Sequence, residues 1–203
     1  MVRVIIIICF FILGLYAQNS YYDDKVSQFQ ILSFKSKPIM MIGDSITDRG
    51  LWNELLDRND IVNRGISGDT TIGLLNRIAI NNIDVKKVFL MIGINDLLKG
   101  KSVEYVYENY LKILSYYQSN RITPIVQSTI FVNDTVNSDI NLKVKQLNIL
   151  LKNYSKTKNI IFIDLNKVLS PNGFLDSQYT NDRLHLNGNG YQLWADTIKK
   201  YLD

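Results

Sequence analysis

One serine, one aspartate and the chain's single histidine stand where nucleophilic catalysis could use them. Ser45 follows an uninterrupted apolar run, Ile39 to Ile42, and His185 lies three residues after Asp182. A carboxylate at that spacing can hold an imidazole in one tautomer while the other ring nitrogen faces a nucleophile. Ser45, Asp182 and His185 therefore form a candidate triad for acyl transfer, and we expect Ser45 and His185 at exposed loop positions.

Each of these residues also has a purely structural interpretation. The sequence Gly43-Asp44-Ser45 is ordinary turn and helix-capping chemistry, and a lone histidine is more often structural than catalytic. The catalytic interpretation therefore depends on whether the rest of the chain brings further groups to the same place.

Two more polar loops could supply hydrogen-bond donors to charge that develops beside the serine. They contain Gly68 and Asn95 and follow the second and third apolar runs of the chain. Glycine lets the backbone approach a reacting group closely, and an asparagine amide offers N–H donors. With the backbone amide of Ser45 they would form a three-donor oxyanion hole. For each of them a turn or a helix cap is the alternative.

Apolar runs that alternate with helical periodicity must position these loops. Five predicted strands, each followed by an amphipathic helix, are the pattern of a parallel sheet with helices on both faces. Right-handed crossovers bring the carboxyl end of every strand, and the loop after it, to one rim of the sheet. The predicted strands are Ile39 to Ile42, Asp60 to Asn63, Val88 to Ile92, Ile125 to Ile130 and Ile160 to Leu165.

The first 17 residues have the composition of a targeting segment. Arg3 precedes an apolar run from Val4 to Leu15, and Ala17 supplies a small residue at a cleavage point. We expect a signal peptide, or an uncleaved N-terminal anchor, and a secreted or periplasmic protein. A polar lead-in and a single hydrolase domain would follow, which divides the chain into 1–17, 18–37 and 38–203.

Composition excludes several classes of protein. Hydrophobic residues make up 46% and charged residues 21% of the 203 positions, with a formal net charge of +4, and these values are typical of a globular chain. Lysines gather only at 143–158, on one predicted helix, so no nucleic-acid partner is expected. The one cysteine, Cys9, lies in the targeting segment, so neither disulfides nor cysteine ligands are expected in the mature chain.

Four motifs resemble, in order, the four sequence blocks of the SGNH (GDSL-type) hydrolases. One block alone is a weak match, whereas all four at suitable spacing are a specific one. The loop around Gly68 and the segment Leu184 to Tyr191 resemble most the subgroup that contains platelet-activating-factor acetylhydrolase subunits and bacterial O-acetylesterases. The blocks are Gly43-Asp44-Ser45-Ile46, Gly68 within Ile66 to Thr71, Asn95 within Gly93-Ile94-Asn95-Asp96, and Asp182 with His185.

The resemblance implies a flavodoxin-like three-layer α/β/α fold and a serine esterase that needs no metal or cofactor. It implies Ser45 as nucleophile, His185 as base and Asp182 as the residue that orients the base. Ser45, Gly68 and Asn95 would be the oxyanion donors. Supporting or substrate-proximal positions are expected for the aspartates of the first three blocks, Asp44, Asp69 and Asp96.

For the substrate, the sequence favours a short acyl group, acetyl above all, on a sugar or a similar polar alcohol. Connections on the catalytic rim are short and include no inserted apolar lid, so a long acyl chain would find little to bury against. The apolar residues near the rim are expected to be scattered singly, namely Ile46, Leu97, Phe131 and Phe174.

Two alternatives stay open at this point. One is a lysophospholipase- or thioesterase-like acylhydrolase for longer chains, and the other is a noncatalytic glycan- or lipid-binding module on the same fold. The expected partner is a small-molecule or glycan ester, with membrane contact only through an uncleaved N-terminal segment. The oligomeric state is left open.

Overall fold

The computed structural model describes residues 20–32, 37–80, 84–134 and 138–203. The predicted signal segment, 1–17, lies outside the described residues, so its role stays a prediction. Within the described ranges, no helix is both long enough and apolar enough to cross a bilayer.

A five-stranded parallel sheet forms the centre of the molecule, as the alternating apolar runs predict. Its strands follow the spatial order β2-β1-β3-β4-β5, which is the flavodoxin-like order. The central strands β1 and β3 are buried on both faces, which is why their sequences are nearly continuous apolar runs. The strands are β1 (Ile39–Gly43), β2 (Ile61–Gly65), β3 (Lys87–Met91), β4 (Thr123–Gln127) and β5 (Ile161–Ile163).

The fourth and fifth strands end earlier than the apolar runs that predicted them. After Gln127, the backbone N–H of Thr129 donates to Asn148 Oδ1 at 2.9 Å. On the neighbouring strand, the backbone N–H of Leu165 donates to Ser128 Oγ at 2.9 Å. Side chains thus take the backbone hydrogen bonds that a longer ladder would need, and the apolar residues beyond are core residues outside the sheet.

Helices cover both faces of the sheet and complete a three-layer α/β/α sandwich. Helices α4, α6 and α7 pack side by side in one layer, and α3 and α8 pack against α9 in the other. The helices are α1 (20–31), α2 (Ser45–Asp48), α3 (Trp52–Leu55), α4 (Thr71–Arg77), α5 (Ile94–Leu98), α6 (Val103–Ser119), α7 (Ser138–Thr157), α8 (Asn166–Leu169) and α9 (Gly188–Ile198), with 3₁₀ turns at Ser177–Tyr179 and Lys199–Tyr201.

Helix α1 lies in the segment that the sequence assigned only to a polar lead-in. Phe29 is its buried anchor, with the Arg64 guanidinium 4.2 Å above the ring. The Tyr22 hydroxyl donates to the carbonyl of Gly73 at 2.8 Å, and Lys25 pairs with Asp48 at 3.1 Å. These contacts dock α1 against α4 and against the end of α2, beside the rim that carries the predicted site.

Candidate active site

Ser45 is the first residue of α2, directly after the buried strand β1. The Asp44 side chain caps this helix by accepting the backbone N–H of Ile46 at 3.0 Å. A Cβ at position 43 would collide with the carbonyl of Met91 on the neighbouring strand, so only glycine permits this tight strand-to-helix turn. The expectation that Ser45 is exposed is wrong, because the turn tucks the residue against the sheet and leaves 6% of its surface accessible.

The structure brings Ser45, His185 and Asp182 into one hydrogen-bonded chain. His185 Nε2 lies 2.9 Å from Ser45 Oγ, and His185 Nδ1 lies 2.7 Å from Asp182 Oδ2. The other carboxylate oxygen of Asp182 accepts the backbone N–H groups of His185 at 2.7 Å and Leu184 at 3.1 Å. Asp182 therefore fixes both the loop and the ring that it carries.

The Asp182 carboxylate is held in its ionised form. Partial burial raises the pKa of the carboxyl, but the hydrogen bonds from His185 and Leu184 outweigh burial and bring the pKa down to about 2. An ionised carboxylate accepts the Nδ1 proton and leaves Nε2 as the nitrogen that can take the Ser45 proton.

A short, closely tied loop presents the histidine. Arg183 adopts a left-handed backbone with φ 74°, and its N–H donates to Thr180 Oγ1 at 2.9 Å. Asn187 caps α9 immediately after the loop. From α9, the Tyr191 hydroxyl returns to the carbonyl of Ile46 at 2.8 Å. The histidine loop and the serine helix are thus joined by a buried hydrogen bond beyond the one between His185 and Ser45.

The predicted oxyanion donors line the same recess as the serine. Gly68 has a left-handed φ of 78° in the loop after β2. Asn95 stands on α5 after β3, and its Nδ2 donates to the carbonyl of Asp69 at 2.9 Å. The recess has a volume of about 300 Å³, and its lining residues are Tyr21, Ser45, Arg49, Ser67, Gly68, Asn95, Leu184 and His185.

The three aspartates of the motifs are buried supports and do not line this recess. Asp96 accepts both the backbone N–H and the hydroxyl of Thr71, at 2.9 and 2.7 Å. Asp69 pairs with Arg77 at 2.7 Å. Asp44 has one oxygen, Oδ2, with no hydrogen-bond partner among the described groups, and burial raises the pKa of its carboxyl to about 7. The supporting role fits this burial, whereas contact with substrate does not.

Residues 41–193, more than half of the chain, match the model of the GDSL-like lipase/acylhydrolase family. The chain belongs to this family. The resemblance seen in the four motifs is therefore confirmed over the whole stretch that carries the triad and the oxyanion residues.

Solved structures of other proteins share the fold. A protein from Streptococcus pneumonia named for platelet activating factor has a TM-score of 0.86 at 26% identity, covering 94% of this chain and 97% of that one. A GDSL-like lipase from Bacteroides thetaiotaomicron has a TM-score of 0.78 at 24% identity, with coverages of 89% and 96%. An acetylxylan esterase from Geobacillus stearothermophilus, solved as a catalytic mutant, has a TM-score of 0.69 at 20% identity, with coverages of 84% and 95%.

A relative by sequence is the N-acylneuraminate cytidylyltransferase of Streptococcus agalactiae serotype III. The two chains are 32% identical in an alignment of 126 positions, which covers 57% of this chain and 30% of that protein. This chain therefore spans less than a third of its relative, and the activity for which the relative is named is not carried over.

Family membership identifies the chain as an SGNH-type esterase.

Arg77 is a supporting residue of this acylhydrolase that the sequence analysis missed. Its guanidinium is buried and donates to the carbonyl of Gly43 at 3.2 Å, to the carbonyl of Arg64 at 2.9 Å, and to Asp69. It therefore ties the ends of β1 and β2 to the loop that contains Gly68. No sequence signal marks it, because its carbonyl partners lie 13 and 34 residues away.

A second and larger cavity of about 800 Å³ contains no triad residue. The expectation that apolar residues near the rim are scattered singly is wrong. Ile46 and Leu97 are buried in the core, whereas Phe131 and Phe174 both line this cavity, beside α7. Its apolar lining also includes Leu142, Ile149 and Phe162. We call it the α7 groove.

The arrangement of the site fits acyl transfer. A hydroxyl, an imidazole and an ionised carboxylate are aligned, and Ser45, Gly68 and Asn95, from three strand-to-helix connections, line the same recess. In the part of the chain that the structure describes, no three histidine, cysteine, aspartate or glutamate side chains are grouped in a way that could hold a metal ion.

Proposed function

We propose that this family member hydrolyses short-chain carboxylic esters, acetyl esters above all, of sugars or similar polar alcohols through an acyl-enzyme on Ser45. The observation that carries the proposal is the hydrogen-bonded chain from Asp182 through His185 to Ser45, with spacings of 2.7 and 2.9 Å. These hydrogen bonds lead to Ser45, which lines a recess of about 300 Å³ that could hold a small acyl group.

In the proposed reaction, the hydroxyl of Ser45 attacks the ester carbonyl while His185 Nε2 takes its proton. Negative charge develops on the carbonyl oxygen and is stabilised by donors from Ser45, Gly68 and Asn95. His185 then gives the proton to the alcohol oxygen, the alcohol leaves, and the acyl group stays on Ser45. Water repeats the sequence on the acyl-enzyme and releases the acid.

The acyl preference follows from the size of the recess. Its volume is about 300 Å³, against about 800 Å³ for the α7 groove. Each methylene that is buried contributes about 0.8 kcal/mol. The outer methylenes of a long acyl chain would extend beyond so small a recess and stay exposed, so binding energy does not favour such a chain over acetyl.

The decisive experiment replaces the proposed nucleophile and base. Ser45→Ala and His185→Ala should each lower the turnover of 4-nitrophenyl acetate on the order of 10⁴-fold or more. Ser45→Ala should also abolish labelling by a fluorophosphonate. Ser115→Ala, on the exposed face of α6, is the matched control and should behave as wild type. Retention of a tenth of wild-type turnover by either variant, with the melting temperature unchanged, would overturn the assignment.

We also propose that residues 1–17 direct export. Sequencing the N-terminus of protein recovered outside the cytoplasm tests this, with Gln18 expected as the first residue. Protein that keeps Met1 and stays with the membrane fraction would support the uncleaved anchor instead.

A further inference from the structure

Arg49 places a positive charge beside the proposed nucleophile. It follows Ser45 by four residues, and its backbone N–H donates to the carbonyl of Ser45 at 3.1 Å. Residues with this separation lie on the same side of a helical turn, with Cβ atoms about 5–6 Å apart. The Arg49 side chain accordingly forms part of the wall of the recess.

The guanidinium of Arg49 is only weakly engaged by the protein. Its one ionic contact within the described chain is to Asp182 Oδ2 at 3.6 Å, and both side chains are about half exposed, at 51% and 50%. That distance is too long for a hydrogen bond. Asp182 already accepts three hydrogen bonds, from the ring and backbone of His185 and the backbone of Leu184. The N–H donors of Arg49 therefore remain available to a ligand in the recess.

A second cation stands near the other end of the recess. Lys99 Nζ donates to the carbonyl of Gly68 at 3.2 Å and is exposed. The acidic groups near the recess, Asp48 and Asp182, have donors of their own. Asp48 accepts the hydroxyl of Tyr21 at 2.6 Å and pairs with Lys25, and Asp182 accepts the three hydrogen bonds from His185 and Leu184. Arg49 and Lys99 therefore provide positive charge at the recess that can attract an anion.

The position of Arg49 indicates which half of the ester would carry the anion. His185 must reach the alcohol oxygen to protonate it, so the alcohol half lies on the side of His185 and Asp182. Arg49 is on that side, since it contacts Asp182. The acyl half then lies toward Gly68 and Asn95.

We infer that Arg49 binds a carboxylate on the alcohol half of the substrate, so that the preferred substrates are acyl esters of acidic sugars or of similar hydroxy acids. This inference rests on the proposed esterase function and adds the charge of the substrate to it. A guanidinium can meet a carboxylate with two parallel hydrogen bonds, which a lysine cannot do.

The test compares two esters that differ only in charge. They are the monoacetates of methyl glucoside and of methyl glucuronoside, acetylated at the same hydroxyl, with acetate release as the readout. Wild type should show a kcat/KM ratio of acidic to neutral ester of about ten or more, the size expected for one charge-assisted pair. Arg49→Gln should bring the ratio close to one, and Arg49→Lys should give an intermediate value. Added salt should lower the wild-type ratio.

The ratio separates substrate binding from an effect of Arg49 on the triad. Both esters use the same Ser45, His185 and Asp182, so a change that acts only through Asp182 alters both rates equally and leaves the ratio unchanged. Arg121→Gln is the matched control, because Arg121 is also exposed but lies before β4, on the opposite rim. A wild-type ratio of one or less, or an unchanged ratio in Arg49→Gln, overturns the inference while ester hydrolysis itself stands.

Binding without turnover gives a second, independent readout. In the Ser45→Ala background, calorimetric titration should show the acidic ester binding about tenfold more tightly than the neutral one. Adding Arg49→Gln should remove that difference. If neither ester is hydrolysed by wild type and this difference persists, the esterase proposal fails while Arg49 is still shown to bind the carboxylate. Equal affinity in the Ser45→Ala background contradicts the role of Arg49.

Discussion

The side-chain amide of Asn95 has one hydrogen that is bonded to the protein and a second that a substrate could use. Nδ2 carries two hydrogens, and one of them is donated to the carbonyl of Asp69 at 2.9 Å. This bond fixes the rotamer of Asn95 and with it the direction of the second hydrogen. A donor oriented in advance need not reorganise as charge develops on the substrate, which is the property that makes an oxyanion hole effective.

Asn95→Ala should accordingly lower kcat by about 10² to 10³ and leave KM nearly unchanged, because the lost donor acts mainly in the transition state. Steady-state kinetics on 4-nitrophenyl acetate measures both quantities. Asn109→Ala is the matched control, since Asn109 is buried and donates to Thr71 Oγ1 at 3.0 Å on the same side of the sheet. A normal kcat with a lowered melting temperature in Asn95→Ala would assign Asn95 a structural role only.

The buried carboxyl of Asp44 makes the stability of the fold depend on pH. Burial is the main cause that raises the pKa of this carboxyl from 3.8 to about 7, and the charges of Asp69 and Asp96 add to it. Between these two pH values the folded state holds a proton that the unfolded state releases. The free energy of unfolding contributed by this group therefore falls as the pH rises through that window.

Asp44→Asn should remove this contribution, because the amide is neutral at every pH and its oxygen can still accept the N–H of Ile46. Relative to wild type, the variant should gain about 3 kcal/mol of unfolding free energy between pH 5 and pH 8. Urea unfolding of both proteins at several pH values measures the difference. A difference that stays constant from pH 5 to pH 8 would contradict a pKa of about 7 for Asp44 in the folded state.

At the scale of elements, Arg77 joins a helix to the sheet and to one loop of the site. Its contacts to Gly43, Arg64 and Asp69 bind α4 to the ends of β1 and β2 and to the loop that carries Gly68. Removing one partner of a buried ion pair leaves the other charge without compensation, which costs about 3–5 kcal/mol.

Arg77→Met should therefore lower the free energy of unfolding by about 3–5 kcal/mol, and it should also lower kcat because the Gly68 loop loses its tie to the sheet. Arg58→Met is the control: Arg58 pairs with Asp60 at 2.8 Å, but its side chain is 29% exposed, so about 1 kcal/mol or less is expected. Urea unfolding and steady-state kinetics measure both effects. Equal losses in the two variants would show that burial of Arg77 is unimportant.

The elements differ in how far the sequence could predict them. Strands β1 and β3 are central and buried on both faces, so their apolar runs are local signals. Helix α1 is polar over most of its length and is fixed by a few contacts to distant residues, such as Phe29 beneath Arg64. Periodicity could not locate it, and the part of the recess wall formed by Tyr21 was missed for the same reason.

The residues of the site also differ in how far the sequence could predict them. Ser45, Asp182 and His185 could be predicted because a motif and a short spacing mark them, and the structure brings them together. Arg49 could have been found by its four-residue distance from Ser45. The burial of Ser45 and the existence of the α7 groove depend on packing between distant elements, which no local pattern records.

On the scale of the whole molecule, the aromatic core couples the two halves of the site. Trp52 lies after the serine helix, and Tyr191 and Trp194 belong to α9, which follows the histidine loop. The ring centroids of Trp52 and Trp194 are 4.7 Å apart, and Trp194 Nε1 donates to Gln127 Oε1 of β4 at 2.6 Å. Burial of these large side chains makes the approach of His185 to Ser45 a consequence of folding the entire chain.

The recess at Ser45 and the α7 groove could each receive an acyl chain. The two cavities predict opposite preferences for the length of that chain. The recess at Ser45 is small, whereas the α7 groove is larger and has phenylalanine and aliphatic side chains but no triad residue in its lining. If the recess receives the acyl group, kcat/KM should fall from 4-nitrophenyl acetate through butyrate to octanoate.

Ile149→Lys, which puts a charge in the groove at a half-exposed position of α7, should leave this profile unchanged. Ile72→Lys, a similarly exposed site on α4, is its control. A tenfold preference for octanoate that Ile149→Lys removes would instead make the groove the acyl site and the protein a long-chain acylhydrolase.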